Sequence, residues 1–287
     1  MKVSVRAPAT VANLGPGFDC LALALDLWNG FTVDTEAEPG VEVHGEGAEE
    51  LADPGANLVV RALSAAGVAA GSLRLACANR VPFERGLGSS ATAIVGGLLL
   101  ADALHGRTRP AEDLLDDAVA LEGHADNVAA CLLGGLTLSY RTEAGWRAER
   151  LQPVPGLRPV VLVPDGEHVS TERARRALPA EVPFGDAVFE LSRAALAVLS
   201  LTARPDLLRD ALEDRLHQAQ RLALAPVAAA VFDRLRSGGV PVCVAGSGPA
   251  LLAFETDGRT VPEPGEGWRT LRPAVSAQGA ELGWRLG

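Results

Sequence analysis

The sequence predicts an α+β protein in two parts, and three observations carry that reading. Short β-rich runs alternate with helical periodicity through the first half of the chain. A polar, turn-rich stretch, Thr142 to Gly156, then separates that half from the strongly apolar run Val160 to Val163. The second half carries helices followed by two strands around a glycine turn, the order expected where helices and an antiparallel sheet form separate layers. A boundary near residue 150 divides the chain into 1–150 and 151–287.

Val3 to Ala7 reads as the opening strand, and Phe31 to Asp34 and Val41 to His44 are also β-rich. Between them, Pro8 to Asp19 reads as a loop of polar residues and glycines leading into the apolar Cys20 to Leu27. Asn57 precedes the apolar-periodic run Leu58 to Ala66, Gly67 is its stop signal, and Leu73 to Cys77 is the next strand. From Ser90 to Leu104 small and aliphatic residues fill almost every position, as in a helix buried on most of its faces. Glu112 to Leu121 is a further helix, Gly134-Gly135 breaks the pattern, and Leu136 to Tyr140 is a strand. Beyond the boundary, helices are predicted over Phe184 to Ser200, Asp206 to Leu216 and Pro226 to Arg236. Strands are predicted over Val240 to Ala245 and Ala250 to Phe254, an exposed loop over Thr256 to Gly267, and a last strand at Trp268 to Leu271.

Composition narrows the function classes. With 48% hydrophobic and 22% charged residues, 31 glycines and 19 prolines, the 287-residue chain belongs with packed, turn-rich globular proteins. A formal net charge of -10 argues against nucleic acid or anionic lipid as partners, since both need clustered positive charge. Cys20, Cys77, Cys131 and Cys243 are widely separated and show no metal-binding spacing, so they read as reduced core residues. The N-terminus lacks a signal-peptide core and no apolar run reaches bilayer length, which predicts a cytoplasmic protein with no membrane partner. Lys2 is the only lysine, so no interior lysine serves catalysis, and the P-loop pattern GxxxxGK[ST] is absent.

Four segments carry chemistry. In Val81 to Ala91 a glycine-rich turn, Gly86-Leu87-Gly88-Ser89-Ser90, follows a strand and runs into a long helix. Glycines allow close approach to an anion, and the free N–H groups and dipole of the helix start favour phosphate. Ser89 and Ser90 add hydroxyls for phosphate oxygens or Mg2+. The same residues also suit an ordinary glycine turn with a serine cap. Asn13 and Asp19, in the second segment, can hydrogen-bond an amine or hydroxyl, although Asn, Asp, Gly and Pro also make turns. In the third, Glu122-Gly123-His124-Ala125-Asp126-Asn127 interrupts helical, apolar sequence. Glu122 is the candidate Mg2+ ligand, with a helix terminus capped by Asp126 or Asn127 as the alternative. The fourth, Gly239 to Ala250, is a strand, a glycine turn and a strand. Arg175 and Arg221 stand in polar settings that suit a carboxylate or phosphate, or simply solvent.

In this order the segments resemble the GHMP kinase superfamily, named for galactokinase, homoserine kinase, mevalonate kinase and phosphomevalonate kinase. Its three motifs match Pro8 to Asp19, Pro82 to Ala91, and Val244 to Leu251 with Gly246-Ser247-Gly248-Pro249, so the likeness spans nearly the whole chain. Within the superfamily the chain is similar to the homoserine kinases, through Asn13 to Asp19, His124 to Asn127, Ser170-Thr171 with Arg175, and His217 with Arg221. It departs from their pattern in the short Glu122-to-His124 spacing and in Ser247, where alanine is usual.

The resemblance implies a two-domain fold, with an N-terminal ribosomal-protein-S5-like α/β domain and a C-terminal ferredoxin-like α+β domain flanking a cleft. It implies transfer of the γ-phosphoryl group of ATP to the hydroxyl of L-homoserine, with another small alcohol as acceptor, or a non-catalytic metabolite sensor, as alternatives. By motif, Asn57, Pro82, Arg85, Gly86, Leu87, Gly88, Ser89, Ser90 and Ala91 would bind ATP, and Ser90 and Glu122 would hold Mg2+. Asn13, Asp19, His124, Asn127, Thr171, Arg175, Arg221 and Gly246 would surround homoserine, with Glu122, Ser90, Asn13 and Arg175 acting in catalysis. A homodimer is the family-level expectation.

Overall fold

The structure, a computed structural model, describes residues 1–256 and 258–283. The first sheet is seven-stranded among the described residues. It holds β1 (Lys2–Asn13), β2 (Gly17–Asp34), β3 (Gly40–Gly45), β4 (Arg74–Asn79), β5 (Leu136–Thr142), β6 (Gly145–Leu151) and β11 (Glu281–Leu282). Its path runs β11-β1-β2-β4-β3, and β5 pairs with the Leu21 to Leu23 end of β2 and carries β6 on its other edge. Among the described residues only β3 and β4 pair in parallel.

Pro8 to Asp19 is mostly strand, which corrects the predicted loop. β1 continues to Asn13 and β2 starts at Gly17, with register shifts between Pro8 and Ala9 and between Ala12 and Asn13. Val5, Ala7, Ala9 and Val11 are fully buried, so the chain is extended where its proline and glycines suggested a turn. The turn-rich Thr142 to Gly156 likewise contains β6, which the sequence hides because it is an edge strand with polar, partly exposed residues.

Helices α2 (Leu58–Ala65), α3 (Ser89–Leu104), α4 (Ala111–Glu122) and α5 (Asp126–Leu133) pack on this sheet around Val5, Phe31, Val33, Leu75, Ile94, Val95 and Val128. A short α1 (Ala48–Leu51) follows β3. The second sheet holds β7 (Arg158–Pro164), β8 (Val242–Val244), β9 (Leu251–Glu255) and β10 (Trp268–Leu271), all antiparallel in the order β10-β7-β9-β8. Counted within the second half, that is 4-1-3-2, the ferredoxin-like order.

β7 is buried on both faces, which is why it reads as continuously apolar. Val160 and Leu162 join α10 (Pro226–Ser237) and α6 (Thr171–Arg176) in one core. Val161 and Val163 meet Val11, Leu23 and Leu87 of the first half in another, together with α7 (Phe184–Thr202) and α8 (Leu208–Ala211). The two halves therefore share a core directly beneath the glycine-rich turn.

The helix predicted over Asp206 to Leu216 shrinks to a 3-10 turn at Pro205–Leu207 and α8, because Asp214 turns its carboxylate onto the N–H groups of Leu216, His217 and Gln218 and so launches α9 (Gln218–Leu222). The strand predicted over Val240 to Ala245 is confined to β8. The loop Thr256 to Gly267 has an isolated bridge, Thr256 to Arg259, and its residue 257 lies outside the described residues. No helix among the described residues is long and apolar enough to cross a membrane.

Candidate active site

A cleft of about 320 Å³ opens between the two sheets. Gly86 to Ser90 form its floor. Gly88 sits just before α3 at φ +68°, and a Cβ there would lie 2.0 Å from Thr10 Oγ1. At Gly86 a Cβ would lie 2.0 Å from the Ala245 carbonyl oxygen. The loop is thus pressed against β1 on one side and the β8–β9 turn on the other, and only glycine fits at either contact. The first intrahelical bond of α3 runs from Thr92 N–H to Gly88 O, which leaves the amides of Ser89, Ser90 and Ala91 without acceptors in the helix. Ala91 is fully buried and its side chain does not line the cleft.

α4 ends at Glu122, Gly123 reverses the chain at φ +92°, and α5 starts at Asp126, so the polar interruption is a break between two helices. Ser90 Oγ donates to Glu122 Oε1 at 2.5 Å. Burial pushes the Glu122 carboxyl up, only partly offset by Ser90 and His124. His124 Nδ1 lies 2.9 Å from Asp126 Oδ1 and its Nε2 lies 3.8 Å from Glu122 Oε1. Burial alone would lower the His124 pKa, but Asp126 and Glu122 outweigh it and the net shift is upward. Asn127 Oδ1 accepts from Thr10 Oγ1 at 2.8 Å, tying α5 to β1.

A second charged set gathers beside this helix break, with Arg175 within electrostatic reach of His124 and Asp126. Arg175, on α6, forks onto Asp19 with bonds of 3.0 and 2.8 Å. Asn13 donates from Nδ2 to Gly246 O at 2.9 Å and accepts Asp19 N–H at 3.1 Å, so it fixes Asp19 against the glycine turn of the fourth segment. Arg221 is 4% exposed; its Nη1 also donates to Gly246 O, while its Nε has no hydrogen-bond partner among the described residues. Burial lowers its pKa to about 10. The guanidinium carbons of Arg221 and Arg175 lie 5.2 and 5.8 Å from the Phe18 ring centroid. Thr171 is the exposed first residue of α6, on the cleft rim. His217 is fully buried behind this group; its Nε2–H donates to Gly15 O at 2.8 Å and burial lowers its pKa to about 4.

The remaining end is apolar, lined by Phe31, Leu51, Leu58, Val59, Cys77, Pro82 and Phe83. Asn57 lines it too, but its side chain is fully engaged: Oδ1 accepts from Val59 N and Val60 N, and Nδ2 donates to Leu51 O at 3.0 Å. It shapes this wall as a helix cap. Arg85 lines the cleft as well, with its guanidinium on carbonyls of the second half.

Sequence reasoning missed three organising residues. Asn29 is 1% exposed; its Oδ1 accepts from Arg80 N and Val81 N at 2.8 and 2.9 Å, and its Nδ2 donates to Thr92 Oγ1 at 2.9 Å. It thereby sets both ends of the phosphate-loop segment. Thr10 and Asp214 do similar work at Asn127 and α9. Asn29 carried a signal, an amide inside an otherwise apolar strand, but its partners lie more than 50 positions away.

Residues 57–135 match the family model described as GHMP kinases N terminal domain. Over 98% of the chain, and 95% of the relative, the sequence is 44% identical to the homoserine kinase of Streptomyces avermitilis. It is also 44% identical to that of Streptomyces coelicolor, covering 98% and 94%. The crystal structure of homoserine kinase from Cytophaga hutchinsonii superposes with a TM-score of 0.78 at 25% identity, covering 98% of this chain and 97% of that one. Mevalonate diphosphate decarboxylase from Staphylococcus aureus shares the fold, with a TM-score of 0.62 at 13% identity, covering 98% of this chain and 97% of the other.

Proposed function

The chain belongs to the homoserine kinase family of the GHMP kinases, and from that premise we propose that its cleft transfers the γ-phosphoryl group of ATP to the side-chain hydroxyl of L-homoserine. The products are ADP and O-phospho-L-homoserine, on the route to threonine. One observation carries the reading: the helix start with Ser90 and Glu122 shares a single cleft with the charged set Asp19, Arg175 and Arg221. The first suits a triphosphate and the second a zwitterion.

Under this proposal the amides of Ser89 to Ala91 cradle the phosphates, and the apolar wall from Leu51 to Phe83 takes the base, shaped by Asn57. Arg175 and Arg221 take the homoserine carboxylate and Asp19 the ammonium, while Asn13, His124, Asn127, Thr171 and Gly246 line the remaining space. Homoserine binding opens the Asp19–Arg175 fork and gives each partner a ligand charge instead. Ser90 and Glu122 fit Mg2+, being a hydroxyl and a carboxylate side by side next to the phosphate cradle. When bound, the ion neutralises charge on the phosphates. Transfer passes through a loose transition state, so the chain contributes mainly alignment and oriented amides. We further propose that 1–150 and 151–287 are two domains, that the enzyme works in the cytoplasm, and that it forms a homodimer.

The test is ADP release with Mg-ATP against L-homoserine, L-threonine, L-serine, mevalonate and galactose, with Glu122→Ala as control. Preferred turnover of L-homoserine that is lost in the variant supports the proposal. Preference for another acceptor overturns the substrate assignment, and binding without turnover overturns the enzyme assignment.

A further inference from the structure

Arg85 immediately precedes Gly86, yet its side chain reaches across to the second sheet. Nε–H donates to Pro164 O and Nη2–H to Asp165 O, both at 3.2 Å, and Nη1 donates to Phe83 O at 3.3 Å. Both terminal nitrogens also contact the His168 ring, with Nη2 2.9 Å from Nε2. Arg85 is 7% exposed, and among the described residues it forms no ion pair. A buried guanidinium held by carbonyls and a ring gives up its hydration for a geometric gain, because no opposite charge compensates it directly. Glu46, Glu84, Asp165 and Arg269 are the charged groups around it.

The residues it grips lead to the acceptor end of the cleft. Pro164 ends β7, and His168 lies three positions before Thr171 and seven before Arg175. On its own side Arg85 is bonded in sequence to the loop that Gly86 presses against Ala245. A nearby clasp joins the same two halves without touching Gly86 to Ser90: Arg269 reaches Asp165 at 3.6 Å and Glu46 at 2.7 Å, Glu46 in turn accepts from Phe83 N–H at 3.4 Å, and Arg269 is partly exposed.

We propose that Arg85 is a positioning residue that couples nucleotide occupancy of the phosphate loop to the placement of α6, and so to the acceptor anchors Thr171 and Arg175. The inference rests on the reading of Gly86 to Ser90 as the phosphate cradle. Filling the cradle stiffens the loop, Arg85 passes that restraint to residues 164–168, and α6 is held for the acceptor. Couplings carried this way typically change affinity by about 5- to 150-fold.

The experiment is amide hydrogen exchange over residues 168–178 with and without saturating Mg·AMPPNP, a non-hydrolysable ATP analogue, in wild type, Arg85→Ala, Arg85→Lys and Arg269→Ala. Wild type and Arg269→Ala should slow at least about fivefold on nucleotide binding, within the usual coupling range. Arg85→Ala should slow less than about twofold although nucleotide is bound, and its homoserine KM should stop falling as ATP rises. If Arg85→Ala fails to fold, Arg85→Lys supplies the readout, since one ammonium cannot span two carbonyls and a ring. Unchanged exchange in nucleotide-bound wild type, or a full response in the Arg85 variants, overturns the inference. So does a variant that loses nucleotide affinity but keeps the α6 response, the mark of a direct phosphate contact. Failure of wild type to bind nucleotide overturns the cradle reading along with it, and calorimetric titration of each protein with Mg·AMPPNP tells the two failures apart.

Discussion

Replacing Gly88 with alanine perturbs the phosphate loop in two separable ways. At φ +68° a side chain adds about 1–2 kcal/mol of backbone strain. The new Cβ would also stand 2.0 Å from Thr10 Oγ1, so Thr10 must move and its buried 2.8 Å bond to Asn127 breaks. Leaving that buried acceptor unsatisfied costs a further ~1–3 kcal/mol. The total, about 2–5 kcal/mol, is large against an ordinary domain stability. Gly67 isolates the first contribution: its φ is +84° and nothing lies within 4 Å of a Cβ there, so Gly67→Ala should lose only about 1–2 kcal/mol. Urea unfolding of both variants gives the difference, and steady-state kinetics should show a raised ATP KM for Gly88→Ala alone. Equal stabilities with an unchanged ATP KM would refute the claim that the loop is held in shape against β1.

Glu122→Ala should lower kcat far more than it raises the homoserine KM, and unchanged turnover would remove Glu122 from the phosphate end. Arg221→Met should raise the homoserine KM at least about 100-fold, since a charge-assisted contact to the ligand is lost. The same variant should melt no lower than wild type, because burial already disfavours the charged guanidinium and Asn13 still satisfies Gly246 O; a large loss of stability would contradict that. Asp19→Asn should change stability by less than about 1 kcal/mol, its pair with Arg175 being over one-third exposed, while raising the homoserine KM markedly. Glu190 is pushed up to about 7 by burial, so the folded state holds its proton more tightly than the unfolded chain does. Its contribution to stability therefore falls as pH rises from about 4.5 to about 7, and urea midpoints across that range should show the decline in wild type and lose it in Glu190→Gln.

Much of the fold is legible because its signals are local. Asn57 caps α2, the small aliphatic run is α3, and Phe184 and Pro226 open the helices expected there. What is lost depends on distant partners. β6 is defined by pairing with β5, β11 by Val5 and Arg6, and α9 by the Asp214 carboxylate. The loop assigned to Pro8 to Asp19 became strand because tertiary burial overrode turn chemistry. At the cleft the sequence supplied residue types and order, and the geometry supplied their division of labour. Asn57 is engaged as a cap, Arg85 grips the second half, and Arg175 already holds Asp19. None of these engagements leaves a trace in spacing.

Transfer of the ATP γ-phosphoryl group to the hydroxyl of L-homoserine in this cleft can be followed by phosphorus NMR of the protein with Mg-ATP and L-homoserine. A new phosphomonoester resonance coupled to the homoserine CH2 protons should grow in step with ADP and be absent with Glu122→Ala. ADP accompanied by inorganic phosphate alone, or a phosphoester formed only on a different acceptor, would contradict it.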